Sequence, residues 1–258
     1  MSNRPLIIGH RGASAHAPEN TLAAFQMAVD AGADGVEFDV QLSKDGVPVV
    51  IHDADLRRTG LRNGMVADLT ANELGNVDVG SWFNKKFPKR ASVAFAAETV
   101  PTLLQVLELL KAPDGLIYIE LKCGESDYAP LARAVCDVIC DSPMLPRMIV
   151  KSFKLAAIPE IRHHLPEVQT SALFEPTIMD FLRRRKYILA IAHEFGAHQI
   201  SVHYSLATRK LVSLAAEAGM PVTIWTVNDP KWVKRCLKLG IRSLITNYPA
   251  KLLGVRHS

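Results

Sequence analysis

Near its start the chain gathers residues able to move protons and hold charge: His10, Arg11, Glu37, Asp39, His52 and Asp53 all lie between Gly9 and Asp53. Imidazoles transfer protons near neutral pH, and carboxylates beside a guanidinium can organise a cation and an anion together. Across Gly35 to Leu42 strict alternation places Val36, Phe38 and Val40 on one strand face and Glu37 and Asp39 on the other. Two carboxylates on one face can be no more than an exposed edge. An exposed acidic strand, however, would not be preceded by His10-Arg11-Gly12 and closed by His52-Asp53, so the functional reading leads.

The elements that must position these groups follow from periodicity. Leu6 to His10 is a short apolar run ended by Gly12; Pro18 sits where a helix can start, and Leu22, Phe25, Ala28 and Val29 recur at helical spacing until Gly32. After Gly35 to Leu42, Asp45-Gly46 is a strong hairpin signal before the returning run Val47 to Ile51. An Asp45-Gly46 loop sets Asp39 opposite His52, and a Ser43 to Gly46 loop sets Glu37 there; either even length predicts His52 on the carboxylate face. Residues 54–99 break the rhythm, with Arg57-Arg58-Thr59, an Asn63-Gly64 turn, a short helical stretch Thr70 to Leu74, Trp82 and Phe83. Such a segment is a lid or small subdomain that completes a site, or an inert elaboration.

From Thr102 onward strands and helices alternate regularly, one helix being expected over Ile178 to Phe195. Parallel strands are predicted near residues 6, 35, 116, 148, 169, 199, 221 and 243, which makes a (β/α)8 TIM barrel with the insertion subdomain 54–99 after its second strand, and one barrel domain over 1–258. A doubly wound open sheet would want a Gly-x-Gly-x-x-Gly turn after the first strand, and none is present.

Composition fits that size. With 258 residues, 48% of them hydrophobic, the chain can bury a large core. A formal charge of +4 with scattered Lys and Arg does not imply nucleic-acid binding, and the run Arg183 to Lys186 reads as a solvated helix face. No leader is recognisable and no apolar run approaches the ~18 residues of a spanning helix, so a cytoplasmic protein without membrane insertion is expected. Cys123, Cys136, Cys140 and Cys236 have no metal-binding spacing and read as free thiols. Oligomeric state is not legible.

A barrel would bring the strand ends to one mouth: His10 and Arg11, Glu37 and Asp39, Glu120 and Lys122, Lys151 and Ser152, His203, Trp225 and Asn228, Thr246 and Asn247. Three carboxylates, Glu37, Asp39 and Glu120, without cysteine select one hard divalent cation, Mg²⁺ or Ca²⁺. With Arg11 and Lys122 beside it the floor suits a phosphate, and two imidazoles can protonate a leaving oxygen and help activate a nucleophile. A structural Glu120–Lys122 ion pair is the second reading of those residues. His203 is evenly balanced between function and structure; His16, His163, His164, His193, His198 and His257 read as structural.

His10-Arg11-Gly12, Pro18-Glu19-Asn20-Thr21, Glu37-x-Asp39, Asp45-Gly46, His52-Asp53, Glu120-Leu121-Lys122 and Trp225-Thr226-Val227-Asn228 together resemble the signature of the glycerophosphodiester phosphodiesterase family, in order along nearly the whole chain. The resemblance implies a (β/α)8 barrel, a divalent ion on Glu37, Asp39 and Glu120, and His10 and His52 as general acid and base. It also implies phosphate on Arg11 and Lys122, Trp225 as an apolar wall for the glycerol or alcohol end, and Glu19 orienting Arg11. Its implied reaction is hydrolysis of a small glycerophosphodiester, such as glycerophosphocholine or glycerophosphoethanolamine, to sn-glycerol 3-phosphate and an alcohol, by water or through a cyclic phosphate. Two departures stand out. Asn247 follows Thr246 where the family commonly has Asp, and Lys151 precedes Ser152-Phe153, either as a rim charge or as a cation favouring acidic head groups. The rival readings are lysophospholipase D activity, which needs an apolar channel, and a catalytically silent sugar-phosphate-binding barrel. An isomerase or aldolase lacks support, because Lys122 sits among charges and not in an apolar pocket.

Overall fold

The computed structural model describes residues 4–176 and 187–256. Eight parallel strands, β1 (Leu6–His10), β2 (Gly35–Leu42), β4 (Leu116–Leu121), β5 (Met148–Ser152), β6 (Gln169–Phe174), β7 (Gln199–His203), β8 (Val222–Trp225) and β9 (Ser243–Thr246), run in that order around the sheet. It closes because β1 pairs with both β2 and β9. The short β3 (Pro48–Val50) is antiparallel to β2 and lies outside the ring. The expected (β/α)8 barrel is therefore the observed fold. Of the helix expected over Ile178 to Phe195, Ile188–Glu194 is helical; residues 177–186, including Arg183 to Lys186, lie outside the described residues, as does His257.

Alternation along each strand divides the side chains. Outward-facing Val36, Phe38, Val40, Ile117 and Ile119 join one half of the surrounding core, and Ile7, Ile200, Val202, Ile224 and Leu244 the other. Thr21 caps the helix Leu22–Asp30 by accepting the Ala24 amide hydrogen bond, and that helix buries Ala24, Phe25 and Ala28. Phe25 meets Phe38 edge to face at 5.5 Å. Truncating either fully buried ring to alanine would cost about 3–5 kcal/mol.

Inside the ring Ile8, Tyr118, Ile149 and Ile245 form a plug. Two residues further along each strand, the same inward face carries His10 above Ile8, Glu120 above Tyr118 and Lys151 above Ile149. The strand register then sets neighbours: His10 lies beside Glu37, Asp39 beside Glu120, and Glu120 beside Lys151.

The hairpin differs from both expected loops. Val40 pairs with Val50 and Leu42 with Pro48, which leaves the three-residue loop Lys44, Asp45 and Gly46. Gly46 takes a left-handed φ of 76°, the conformation that closes a three-residue hairpin loop, and its amide donates to Ser43 O at 3.0 Å. Continued pairing would set His52 opposite Phe38 on the outer face. Ile51 still keeps that register by donating to Asp39 O at 3.0 Å, but the chain bends from His52 onward and the pairing ends there.

Residues 54–99 carry a core of their own. Leu56, Val66, Leu74, Val77 and Val79 pack on Val49, Ile51 and Val100, while Trp82, Phe83 and Phe95 pack on Ala17 and Ala24. Thr70 starts the helix Ala71–Leu74 with a reciprocal capping box to Glu73. No helix among the described residues is long and apolar enough to cross a membrane.

Candidate active site

A tight turn after β1 begins the site. Arg11 has φ 53° and Gly12 φ 81°, and a Cβ on Gly12 would fall 2.4 Å from the Ala24 carbonyl carbon, so only glycine fits there. The turn sends the Arg11 side chain across the barrel mouth. Its Nε lies 2.9 Å from Asp39 Oδ2, its Nη1 donates to Glu19 Oε1 at 2.6 Å, and its backbone amide donates to Glu37 Oε2 at 3.3 Å. Asn20 donates to Asp39 Oδ2 at 2.9 Å.

Glu37, Asp39 and Glu120 are buried, and one ligand oxygen from each lies within 4.8 Å of the others. Lysines meet them from two sides. Lys122 Nζ contacts Glu120 Oε1 and lies 3.2 Å from Asp39 Oδ1; Lys151 Nζ lies 2.7 Å from Glu37 Oε1 and 3.4 Å from Glu120 Oε2. Lys151 is only 2% exposed and paired with Glu37, which corrects the reading of a rim charge. It sits beneath the mouth because β5 places it beside Glu120.

Burial alone would raise the carboxyl pKa values of Glu37 and Asp39. Lys151 and His10 outweigh it at Glu37, Arg11 and Lys122 outweigh it at Asp39, and both carboxylates are held below their ordinary values. The cations respond in kind: burial opposes their charge, but the carboxylates raise the pKa values of Arg11, Lys122 and Lys151.

Two histidines flank this cluster. His10 Nδ1 is 2.7 Å from Asn247 Oδ1, so with the proton on Nδ1 its Nε2 carries the lone pair, 3.8 Å from Glu37 Oε2. Burial lowers the His10 pKa more than Glu37 raises it. His52 Nδ1 is 2.6 Å from Asp53 Oδ1. Arg58, from the insertion, contacts Asp53 Oδ2 and forks onto both oxygens of Glu19 at 2.7 and 2.8 Å. Burial pushes the Asp53 carboxyl up, but hydrogen bonds from Arg58 and His52 bring it below its ordinary value.

His10, Arg11, Glu37, His52, Glu120, Lys122 and Trp225 line one cavity of about 290 Å³, together with Lys151, Phe153, Glu175 and Thr226. Asp39 lies behind its floor on Arg11 and Lys122, and Glu19 lies behind Arg11. The indole Nε1 of Trp225 is buried without an acceptor among the described residues, which leaves it for an oxygen of a bound ligand. His203 hydrogen-bonds Ser205 Oγ at 2.8 Å and meets the Trp225 ring at 5.5 Å, so it supports the wall. Asn228 accepts from Thr246 Oγ1 and from the Asn247 amide, holding the loop that carries Asn247.

The donor set fits a hard divalent cation. It is three carboxylates with no thiol among them, and Glu37 Oε1, Asp39 Oδ1 and Glu120 Oε1 are buried oxygens met, among the described residues, by lysine ammonium groups. Sequence reasoning missed Arg58, Glu175 and Phe153. Glu175 shares the alternation of Ser171 and Leu173, which was the available signal; nothing local announces Arg58, whose partners are set by the fold of the insertion.

The family model for glycerophosphoryl diester phosphodiesterases matches residues 10–251. A glycerophosphodiester phosphodiesterase of Caldanaerobacter subterraneus subsp. tengcongensis is 32% identical over 252 residues, 98% of each chain. One from Bacillus altitudinis is 32% identical over 251 residues, 97% of each. Among solved structures, an Oleispira antarctica phosphodiesterase in complex with its product sn-glycerol-3-phosphate superposes with a TM-score of 0.85 at 28% identity, over 100% of this chain and 98% of that one. The buried acidic trio, the flanking imidazoles and the closed barrel are thus carried by a chain that belongs to the glycerophosphoryl diester phosphodiesterase family of hydrolases.

Proposed function

We propose that the chain hydrolyses glycerophosphodiesters such as glycerophosphocholine and glycerophosphoethanolamine to sn-glycerol 3-phosphate and an alcohol, with one Mg²⁺ or Ca²⁺ ion on Glu37, Asp39 and Glu120. The observation that carries this reading is the gathering of those buried carboxylates within 4.8 Å, beside Arg11 and Lys122 and between two imidazoles. When bound, the cation supplies positive charge to the phosphoryl oxygens and lowers the cost of charge growing on them.

The chain's own groups divide the remaining work. Arg11 and Lys122 grip the non-bridging oxygens, each kept charged by the carboxylates behind it. His10, whose pKa lies below the ordinary imidazole value, is neutral at pH 7 and offers Nε2 as the base that takes the proton of the attacking oxygen. His52 donates to the leaving alcohol oxygen, since Asp53 on Nδ1 fixes the orientation of the ring and leaves Nε2 to serve that oxygen. The attacking oxygen is water or the neighbouring hydroxyl of the substrate's own glycerol. Glu19 and Arg58 hold Arg11 and Asp53 in place.

The apolar part of the described lining is Phe153 and Trp225, too little for an acyl chain, which favours deacylated diesters over lysophospholipids. Location in the cytoplasm, where free thiols stay reduced, belongs to the same proposal. A panel of glycerophosphodiesters assayed for released sn-glycerol 3-phosphate, with and without chelator, tests it. Release that chelator abolishes and added Mg²⁺ or Ca²⁺ restores is expected. Binding of sn-glycerol 3-phosphate that chelator leaves unchanged, with no product from any diester, would instead identify a silent sugar-phosphate-binding barrel.

A further inference from the structure

Opposite the acidic trio the cavity wall changes character. Ala172 and Phe174 on β6 point outward into the core, so Ser171, Leu173 and then Glu175 form the inward series, and Glu175 lines the cavity. Beside it Phe153 and Trp225 meet edge to face at 5.4 Å, and the His203 ring braces Trp225 at 5.5 Å. The field of Glu175 reaches His203. Of the three carboxylates that line this cavity, Glu37 and Glu120 are each held by lysine, whereas Glu175 has no ion pair among the described residues. Among the described residues this carboxylate, next to two aromatic rings, has no cation of its own, whereas Arg11, Lys122 and Lys151 are each taken up by the acidic trio.

We propose that Glu175, Phe153 and Trp225 form a subsite for a cationic alcohol, so that the enzyme selects ammonium-bearing head groups over neutral ones; this rests on the diester reading. Lys122 links the two halves. Its Nζ lies 3.2 Å from Asp39 Oδ1 and 5.8 Å from the Phe153 ring centroid, so an ester held on Lys122 places its alcohol chain against that ring. An ammonium group two carbons further on meets the aromatic rings and the Glu175 carboxylate, the combination that recognises quaternary amines. A neutral polyol would gain no charge contact there.

Two measurements test the assignment. In the first, kcat/KM is compared for glycerophosphocholine, glycerophosphoethanolamine and glycerophosphoglycerol with wild type and Glu175→Gln. Wild type is expected to favour the two cationic substrates about tenfold, and Glu175→Gln to lower that ratio toward one through KM. In the second, calorimetry compares choline with its uncharged isostere 3,3-dimethylbutanol. Choline is expected to bind wild type about tenfold tighter, with the difference lost in Glu175→Gln and reduced in Phe153→Leu. Equal binding of the two alcohols, or an unchanged substrate ratio in Glu175→Gln, overturns the subsite. If wild type turns over no diester at all, the diester reading fails, and the calorimetry still decides whether a cation subsite exists.

Discussion

The two halves of the barrel mouth are built on opposite principles. On the side of β1, β2, β4 and β5 every buried charge has a partner: Glu37 with Lys151, Asp39 with Arg11 and Lys122, Glu120 with both lysines. From the end of β5, where Phe153 stands, round to β8 the wall is aromatic, and its one lining carboxylate, Glu175, is unpaired among the described residues. A network of paired charges in a low-dielectric site is rigid and pre-oriented, as stabilisation of a developing phosphoryl charge requires. An aromatic wall tolerates different occupants and discriminates by modest energies. On the proposed reading, chemistry falls to one half and selection to the other.

The largest expected effect probes the charge balance of the first half. Arg11, Lys122 and Lys151 offset Glu37, Asp39 and Glu120, so Lys151→Met leaves buried carboxylates short of a cation at a position only 2% exposed. Removing one partner from a buried pair costs about 3–5 kcal/mol. Denaturant unfolding without divalent ions should show that loss, and added Mg²⁺ or Ca²⁺ should stabilise the variant more than wild type. Unchanged stability would mean that the cluster is not electrostatically balanced.

Next in size are Glu37→Gln and His52→Ala. Each should lose about 3 kcal/mol of transition-state stabilisation, roughly a hundredfold in kcat/KM, with the fold intact by circular dichroism. In the aromatic half, a lesson of the same comparison is that losses should appear in KM and in substrate ratios. Near-normal turnover in either folded variant would remove the division of labour between the halves.

Much of this architecture was legible in advance. The eight barrel strands could be counted because each is a short apolar run bounded by turns and separated by helical periodicity, and Glu37, Asp39, Glu120 and Lys122 could be aimed at one mouth from alternation alone. The hairpin loop could not be fixed, because Asp45-Gly46 suits either parity and the left-handed Gly46 closes a three-residue loop. Lys151 could be aimed at the mouth but its burial could not be read, because that depends on pairing between β4 and β5, a tertiary fact. Arg58 was invisible for a related reason: its partners Glu19 and Asp53 lie on separate segments, joined only once the insertion folds back.

That insertion gives the smallest predicted effect and the sharpest view of how the charged half is held. Arg58 is 41% exposed, so its loss should leave stability nearly unchanged while loosening the His52–Asp53 and Arg11–Glu19 pairs together. Arg58→Ala is expected to lower kcat about tenfold, and Arg58→Lys to recover only part of it, since a point charge cannot reproduce the fork onto both Glu19 oxygens. The pH profile separates positioning from packing. Asp53 is held below its ordinary pKa, with Arg58 as its leading hydrogen-bond donor, so in wild type its charge is present above the ordinary carboxylate range and survives into more acidic solution. Without Arg58 that pKa should rise toward its ordinary value, and the contribution of Asp53 to His52 should be lost at higher pH as the solution is acidified. An acid limb displaced upward in Arg58→Ala, and less so in Arg58→Lys, is the expected signature; superimposable limbs with the same tenfold loss would make Arg58 a packing residue of the insertion and uncouple it from the charged half.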